Sequence, residues 1–401
     1  MSDHGEMDGQ KVFRVWLAGL TVSLLGTQVL TYGLSWTAAG ISGTLSGIVL
    51  SVVALPRLVL AISAGALADR IGPWRIMLLS DCAMFFVGVG GYVLVLNLGP
   101  MPWVLVLIAA LIGTSDAFYR PSSGAVPRLL VSESGLDRAV AARQAVNQVV
   151  GFSGPAIAGS VVTAFALQGA ALSAAVGFLA MVVLMSILRK RVGQFNRAEN
   201  RNSLLFDTWL GIRASASLPK VRTILLLLCC TAGFVLPLMT LLAPLLGHTN
   251  SWTAAQTGIV SGAFAGGLGT AALVVYRFGG KTLLKIPVVV GLVISGLAIV
   301  GIALSGTFWI AAIYSAVSGF GAGTFTVRTA TALLINTPEE LTSRIQASAL
   351  LAQTIPMLIM NNVFGMLADS IGPVTVTVIS GLCACSVGVL CLFIRSARRL
   401  E

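Results

Sequence analysis

The sequence predicts an all-α polytopic membrane protein with twelve transmembrane helices in two six-helix halves and both termini in the cytoplasm. Three observations carry that prediction. Hydrophobic residues make up 56% of the 401 residues, charged ones only 10%, and mean hydropathy is +0.94, a balance that no soluble domain of this length sustains. Twelve apolar segments each supply the ~20 residues needed to cross a hydrocarbon core. Of 25 Lys and Arg, 24 fall at alternate junctions between those segments, and such residues collect in short cytoplasmic loops.

The segments run over 12–38, 44–68, 74–97, 101–122, 141–166, 168–189, 222–246, 253–277, 284–305, 308–333, 343–368 and 373–395. The start, Met1 to Gln10, is polar and acidic and lacks the basic opening and cleavage site of a signal peptide, so the first span is expected to be retained. One set of junctions carries Lys11 and Arg14, Arg70 and Arg75, Arg120 to Arg143, Arg189 to Arg222, Arg277 to Lys285, Arg328 and Arg344, and Arg395 to Arg399. The six junctions on the other side carry none, which places both termini inside. The net charge of +11 then faces anionic lipid headgroups, and a nucleic-acid partner is excluded.

These boundaries divide the chain into a tail (1–11), a first half (12–189), a linker (190–221), a second half (222–395) and a C-terminal tail (396–401). In the linker, Leu204, Leu205, Trp209 and Ile212 recur at helical spacing, as in an amphipathic helix on the inner membrane surface. The 44 glycines are dispersed through apolar segments, where small residues let helices approach closely. The six cysteines sit in or beside apolar runs with no metal-ligand spacing, and they read as buried thiols.

The halves echo each other. Gly113 to Arg120 (GTSDAFYR) lines up with Gly321 to Arg328 (GAGTFTVR), and each is followed by a polar inner loop with acids and an arginine, Glu133 to Arg138 and Glu339 to Arg344. Such repeats belong to transporters whose site lies between two rocking halves. A second echo, ADRIGP from Ala68 and ADSIGP from Ala368, crosses the membrane and reads as an inverted three-helix repeat. Arg70 stands in the inner copy where the outer has Ser370, as the charge rule requires.

The run Gly65-Ala-Leu-Ala-Asp69-Arg70-Ile-Gly72-Pro-Trp-Arg75, in the inner loop after the second segment, resembles the signature loop of the major facilitator superfamily. Gly151-Phe-Ser-Gly154-Pro155-Ala-Ile-Ala-Gly159 in the fifth segment resembles the Gly-Pro motif of that superfamily's drug and proton antiporters. The linker and the stretch from Pro121 to Ala142 are similar to the bacterial branch with siderophore and macrolide exporters. The resemblance covers essentially the whole chain. It implies the major facilitator fold, a monomer in the bacterial cytoplasmic membrane, and export of a small amphiphilic molecule in exchange for protons by alternating access.

In physical terms, Gly65 and Gly72 permit close contact and a tight turn, and Asp69 can face a helix N-terminus, where free N–H groups favour a carboxylate. The eleventh segment, beginning near Ser343, is the natural partner. Asp69, Arg70 and Arg75 then form an inner latch, or else serve only as positive-inside anchors. Pro73 and Trp74 replace the usual basic residue after the glycine, which either weakens the latch or leaves Arg75 to carry it alone. Gly151, Gly154 and Gly159 give the fifth segment a smooth face, and Pro155 bends it. That face either seals one opening of the cavity or simply packs.

Arg57 is the one basic residue inside a segment, about 18 Å of helix from Asp69. A charge so deep needs protein, water and a partner. The acids well inside segments are Asp116 and Asp81. Asp116 is the preferred partner because the second and fourth helices adjoin in the implied fold. The pair is either a proton switch or a permanent salt bridge. Asp81 is the weaker proton-coupling candidate, expected to bond Arg70, Arg75 or Arg120.

The family implies a cavity lined by the first, fourth, seventh and tenth helices. Gln28, Tyr32 and Trp36 share a face at i, i+4, i+8; Tyr119 comes from the fourth segment. Asn147, Gln148 and neighbouring Gln144 come from the fifth, and Gln353, Met357, Asn361 and Asn362 from the eleventh. This lining of aromatics, amides and methionine suits a bulky amphiphile, although some of these residues could instead pack helices. With two His, no Asp-rich diphosphate cluster and no phosphate-gripping Gly-rich loop with Lys, a membrane enzyme and ATP-driven transport are disfavoured, and neither metal nor organic cofactor is implied. A sensor lacks room for an output domain. A proton-coupled importer is the rival reading.

Overall fold

The computed structural model describes residues 3–189, 218–278, 289–338 and 341–393. The amphipathic stretch at Leu204 to Ile212 lies outside them. Gly65, Asp69, Ser343 and Arg344 lie outside the residues whose side chains are described.

All regular structure among the described residues is helical. In order come α1 (Asp3–Ala39), α2 (Gly43–Ile71), α3 (Pro73–Leu98), α4 (Pro102–Ala125), the short α5 (Pro127–Leu130) and α6 (Glu133–Leu188). They are followed by α7 (Pro219–Phe234), a π turn (Leu238–Leu242), α8 (Ala243–Thr249), α9 (Ala254–Phe278), α10 (Val290–Leu304), α11 (Phe308–Ile335), α12 (Thr342–Ile371) and α13 (Pro373–Phe393). Proline opens α3, α4, α5 and α7, where its missing N–H costs nothing and its φ already suits a helix.

Among the described residues, ten helical stretches are long and apolar enough to cross a membrane, with Val290–Leu304 a shorter one. The longest, α6, has 56 residues, which as one straight helix would reach ~84 Å, far beyond a bilayer. Its backbone breaks at Ala166 (φ 54°, ψ −165°), where the fifth segment is predicted to end.

The chain forms two compact units, one of residues 1–37 and 52–200, the other of 38–51 and 201–401. Helix α2 is therefore shared: its first nine residues belong to the second unit by their contacts. In the first unit α3 packs on α4 and α6 around a core that includes Trp16, Met77, Met181 and Met185. In the second, α9 packs on α11, α10 on α11 and α13, and α7 on α12, around Phe264, Phe325, Phe364 and Leu241.

Small residues set the helix spacing, since lipid tails offer no hydrophobic drive for helices to associate. A Cβ on Gly113 would stand 2.5 Å from the Val53 carbonyl oxygen of α2, and one on Gly88 2.9 Å from that of Ala171. In the second unit a Cβ on Gly319 would come within 1.9 Å of the Phe264 carbonyl oxygen. Backbone cannot yield as a side chain can, so these positions admit only glycine at this separation.

The two ADxIGP echoes fold alike. Gly72 (φ 97°) and Gly372 (φ 87°) both take positive φ, which a side chain would strain. Each returns its N–H to the carbonyl four residues back, Ala68 at 2.9 Å and Ala368 at 3.1 Å, and each is followed by a proline that opens the next helix. Around the second turn Asp369 closes onto the start of α2. Its Oδ1 accepts the Gly43 N–H at 2.6 Å, and its Oδ2 accepts the Thr44 N–H at 2.8 Å and the Thr44 hydroxyl at 2.6 Å. A carboxylate at a helix N-terminus satisfies unpaired donors and complements the dipole. Below it α2 and α12 meet through Gly43 and Gly365, then through Gly47 and Asn361, then through Ser51 and Asn362.

Candidate functional site

Arg57 lies midway along α2, next to Pro56. Its Nε stands 2.5 Å from Asp116 Oδ2. Arg120, one turn beyond Asp116 on α4, donates its Nε to the same oxygen at 2.7 Å. Two guanidiniums thus converge on one carboxylate whose side chain is only 10% exposed. α4 can approach α2 closely enough for this because Gly113, one turn before Asp116, lies against the Val53 carbonyl.

Asp81 departs from the sequence expectation. It does not pair with Arg70, Arg75 or Arg120. It is 1% exposed, its Oδ1 accepts the Ser23 hydroxyl at 2.7 Å, and its Oδ2 has no hydrogen-bond partner among the described residues. The reason is helical register: six residues carry Asp81 about 240° round α3 from Arg75. Arg75 is exposed, whereas Asp81 shares the buried face with Met77, Ser80 and Met84. Ser115 fixes α4 against that face through its hydroxyl to the Ser80 carbonyl at 3.0 Å.

Two cavities flank Asp116 within the first unit. The smaller, about 10 Å³, is bounded by Ser23, Thr27, Asp81, Ser115, Asp116 and Tyr119, a polar space for a single water. The larger, about 400 Å³, falls within the ordinary range of small-molecule sites. Its wall holds Gln28, Tyr119 and Asn147 from the predicted set, together with Asp116, Arg120 and Arg143. Leu24, Val150 and Gly151 add an apolar strip, and Thr27 and Ser123 add hydroxyls. The cavities share Thr27, Asp116 and Tyr119.

Other predicted positions fall elsewhere. Tyr32 and Trp36 are half-buried on α1 and do not line this cavity, and Gln148 is exposed. Gln353 and Met357 are half-buried in the second unit. Asn361 is 2% exposed, accepts the Thr240 hydroxyl at 3.4 Å and sits against Gly47, so it packs helices. In the Gly-Pro motif, Gly151 opens onto the large cavity, Gly154 seats Gln28, and Gly159 is buried. Pro155 is half-buried within α6. Arg70 is exposed and Gly72 makes the turn.

The sequence reading missed Arg143 as a wall residue because it counted that residue only as a topology marker. The signal was present: Arg143, Asn147 and Gly151 recur at i, i+4, i+8 and share a face, whereas Gln148 lies one step round the helix. Ser23 gave no such signal, since a lone serine in an apolar segment most often bonds its own helix.

Comparison with known proteins follows from this geometry. A model of the Major Facilitator Superfamily matches residues 16–360. No curated protein matches the chain in sequence. Among solved structures, a bacterial homologue of the iron transporter ferroportin in an inward-facing state is 16% identical, with TM-score 0.70 over 95% of this chain and 98% of that one. A POT family transporter in complex with 5-aminolevulinic acid gives 15% and 0.71 over 94% and 95%. A D-xylose-proton symporter gives 14% and 0.68 over 94% and 96%. At such identities the likeness concerns the fold alone, while the family model spans most of the chain. This protein, a multi-pass helical membrane protein with a charged cavity in its first unit, belongs to the Major Facilitator Superfamily.

Proposed function

We propose that this chain is a secondary active transporter that exports a small amphiphilic molecule across the bacterial cytoplasmic membrane, in exchange for protons, by alternating access. Twelve crossings, cytoplasmic termini and a monomer belong to the same reading, with 12–189 and 222–395 as the moving halves. The observation that carries it is the Arg57–Asp116–Arg120 cluster, whose Asp116 and Arg120 stand on the wall of a cavity of about 400 Å³. Two guanidiniums compensate the charge of this carboxylate, and withdrawing either one removes part of that compensation. Movement or substrate that draws Arg57 or Arg120 away therefore couples to a proton.

Asp81 is the second proton-coupling group. It is buried, with one hydroxyl donor and no ion pair among the described residues, the setting of intramembrane acids in proton pathways. The single-water cavity joins it to Asp116. Asp69, Arg70 and Arg75 form the inner latch, and the Gly151 to Gly159 face closes one opening. The remaining predicted positions, Tyr32, Trp36, Gln148, Gln353, Met357 and Asn361, stay candidates for other states of the cycle. Direction of transport rests on the resemblance to exporters. Proton-coupled import has one observation in its favour: Arg120 and Arg143 outnumber the one acid on the wall of the large cavity, so an entering anion offsets the excess positive charge, with a proton as its coupling ion.

Everted vesicles containing wild-type chain or Asp116→Asn, screened with a panel of amphiphilic dyes, test the reading. Proton-dependent accumulation by the wild type that Asp116→Asn loses is the expected result. Uptake driven by an inward proton gradient in intact cells, with no efflux, would sink export.

A further inference from the structure

We infer that the large cavity takes a small organic anion, a carboxylate, sulfonate or phosphate carrying an apolar part. The inference rests on reading that cavity as the substrate site, and it names the charge of what enters.

The first ground is the balance of charge. Asp116 is the one acid on the wall, and it is already engaged by Arg57 and Arg120. Arg143 adds a further positive charge that enters neither ion pair found among the described residues. On the wall itself two guanidiniums, Arg120 and Arg143, stand against one carboxylate, Asp116. A net positive charge in a partly desolvated site attracts anions and repels cations of the same shape.

The second ground is a donor with nothing to bond. Arg143 Nε is buried and has no hydrogen-bond partner among the described residues, a state that costs free energy unless a ligand or water answers it. A guanidinium fork matches the paired oxygens of carboxylate, sulfonate or phosphate, which a point charge does not. The third ground is the wall around it. Leu24, Val150 and Gly151 offer an apolar strip beside the arginines, and a Cβ on Gly151 would meet nothing within 4 Å, so the strip is open to an apolar group.

Lipid phosphate offers the same chemistry, and arginines near an inner surface commonly bind it. A free anion is favoured because Arg120 and Arg143 share one wall with Gln28, Asn147 and Tyr119, hydrogen-bonding groups that a small polar solute uses.

The test uses the full chain in phosphatidylcholine nanodiscs and two probes that put opposite charges on one ring, benzenesulfonate and phenyltrimethylammonium. The readout is the unfolding midpoint followed by tryptophan fluorescence across millimolar probe. Benzenesulfonate is expected to raise the midpoint while the cation does not. Its apparent affinity is expected to fall about tenfold or more in Arg143→Gln and to recover in part in Arg143→Lys, which a merely structural arginine would not produce. Equal or better stabilisation by the cation, none by either probe, or an unchanged response in Arg143→Gln would overturn the inference. So would stabilisation by phosphatidylglycerol that Arg143→Gln abolishes, with none from benzenesulfonate, since the arginine then serves lipid headgroups. None of these outcomes depends on proton coupling or direction, which the vesicle assay judges separately.

Discussion

Asp116 and Asp81 both lie in the apolar interior of the first unit, bounding one small cavity, yet the fold answers them in opposite ways. Asp116 on α4 draws in a guanidinium from α2 and another from its own helix. Asp81 on α3 receives a single hydroxyl from α1 and leaves one oxygen without a partner. The difference teaches what each acid is built to hold. Removing Asp116 leaves cations without their countercharge, whereas removing Asp81 leaves only a hydroxyl without its acceptor. Asp369 gives a third answer, in which a helix N-terminus does the work of a cation.

The contrast implies a ranked series of effects. Asp116→Ala leaves Arg57, 29% exposed, without its carboxylate, and truncating one side of a poorly hydrated pair costs about 3 kcal/mol. Unfolding of the purified protein by denaturant should show that loss. The double variant Arg57→Leu/Asp116→Leu should recover much of it, and a double variant no better than the single would show that Arg57 needs no countercharge. Asp369→Ala comes next, at about 1–2 kcal/mol for a lost cap. Hydrogen exchange should rise at residues 43–46, where the carboxylate holds two amides, and unchanged exchange there would remove the cap from the comparison.

Ser23→Ala removes the hydroxyl that Asp81 accepts and should cost about 1 kcal/mol, read in the same unfolding experiment. Asp81→Asn should move stability least, by less than ~0.5 kcal/mol, because an amide resembles a neutral acid and strands no cation. A loss as large as that from Asp116→Ala would reveal a hidden countercharge at Asp81 and collapse the contrast between the two acids.

How much of this was legible in the sequence varies with the range of the interaction. Arg57 stood out because a charge in an apolar segment needs a partner, and Asp116 was the acid at a workable depth on an adjoining helix; the 2.5 Å contact follows that logic. Asp81 was misjudged because counting residues along α3 gave its depth and not its direction round the helix. The ADSIGP echo was visible, but the use of Asp369 was not. Its partners, Gly43 and Thr44, lie more than 300 residues away and carry no charge to mark them.

The sequence by itself determined the all-helical membrane class and its long apolar helices, because solvent preference and helical period act locally and sum along the chain. It also marked the turn at Gly72, since glycine tolerates a conformation that other residues rarely adopt and the proline after it opens a helix. Only the tertiary structure decided which face of each helix meets which neighbour. It made Asp81 a partner of a serine, put Arg143 on a cavity wall, and gave the first turns of α2 to the second unit. The physical reason is that helix rotation in lipid is set by close backbone contacts at small residues such as Gly113, Gly47 and Gly365, and the choice among many such residues is made by packing alone.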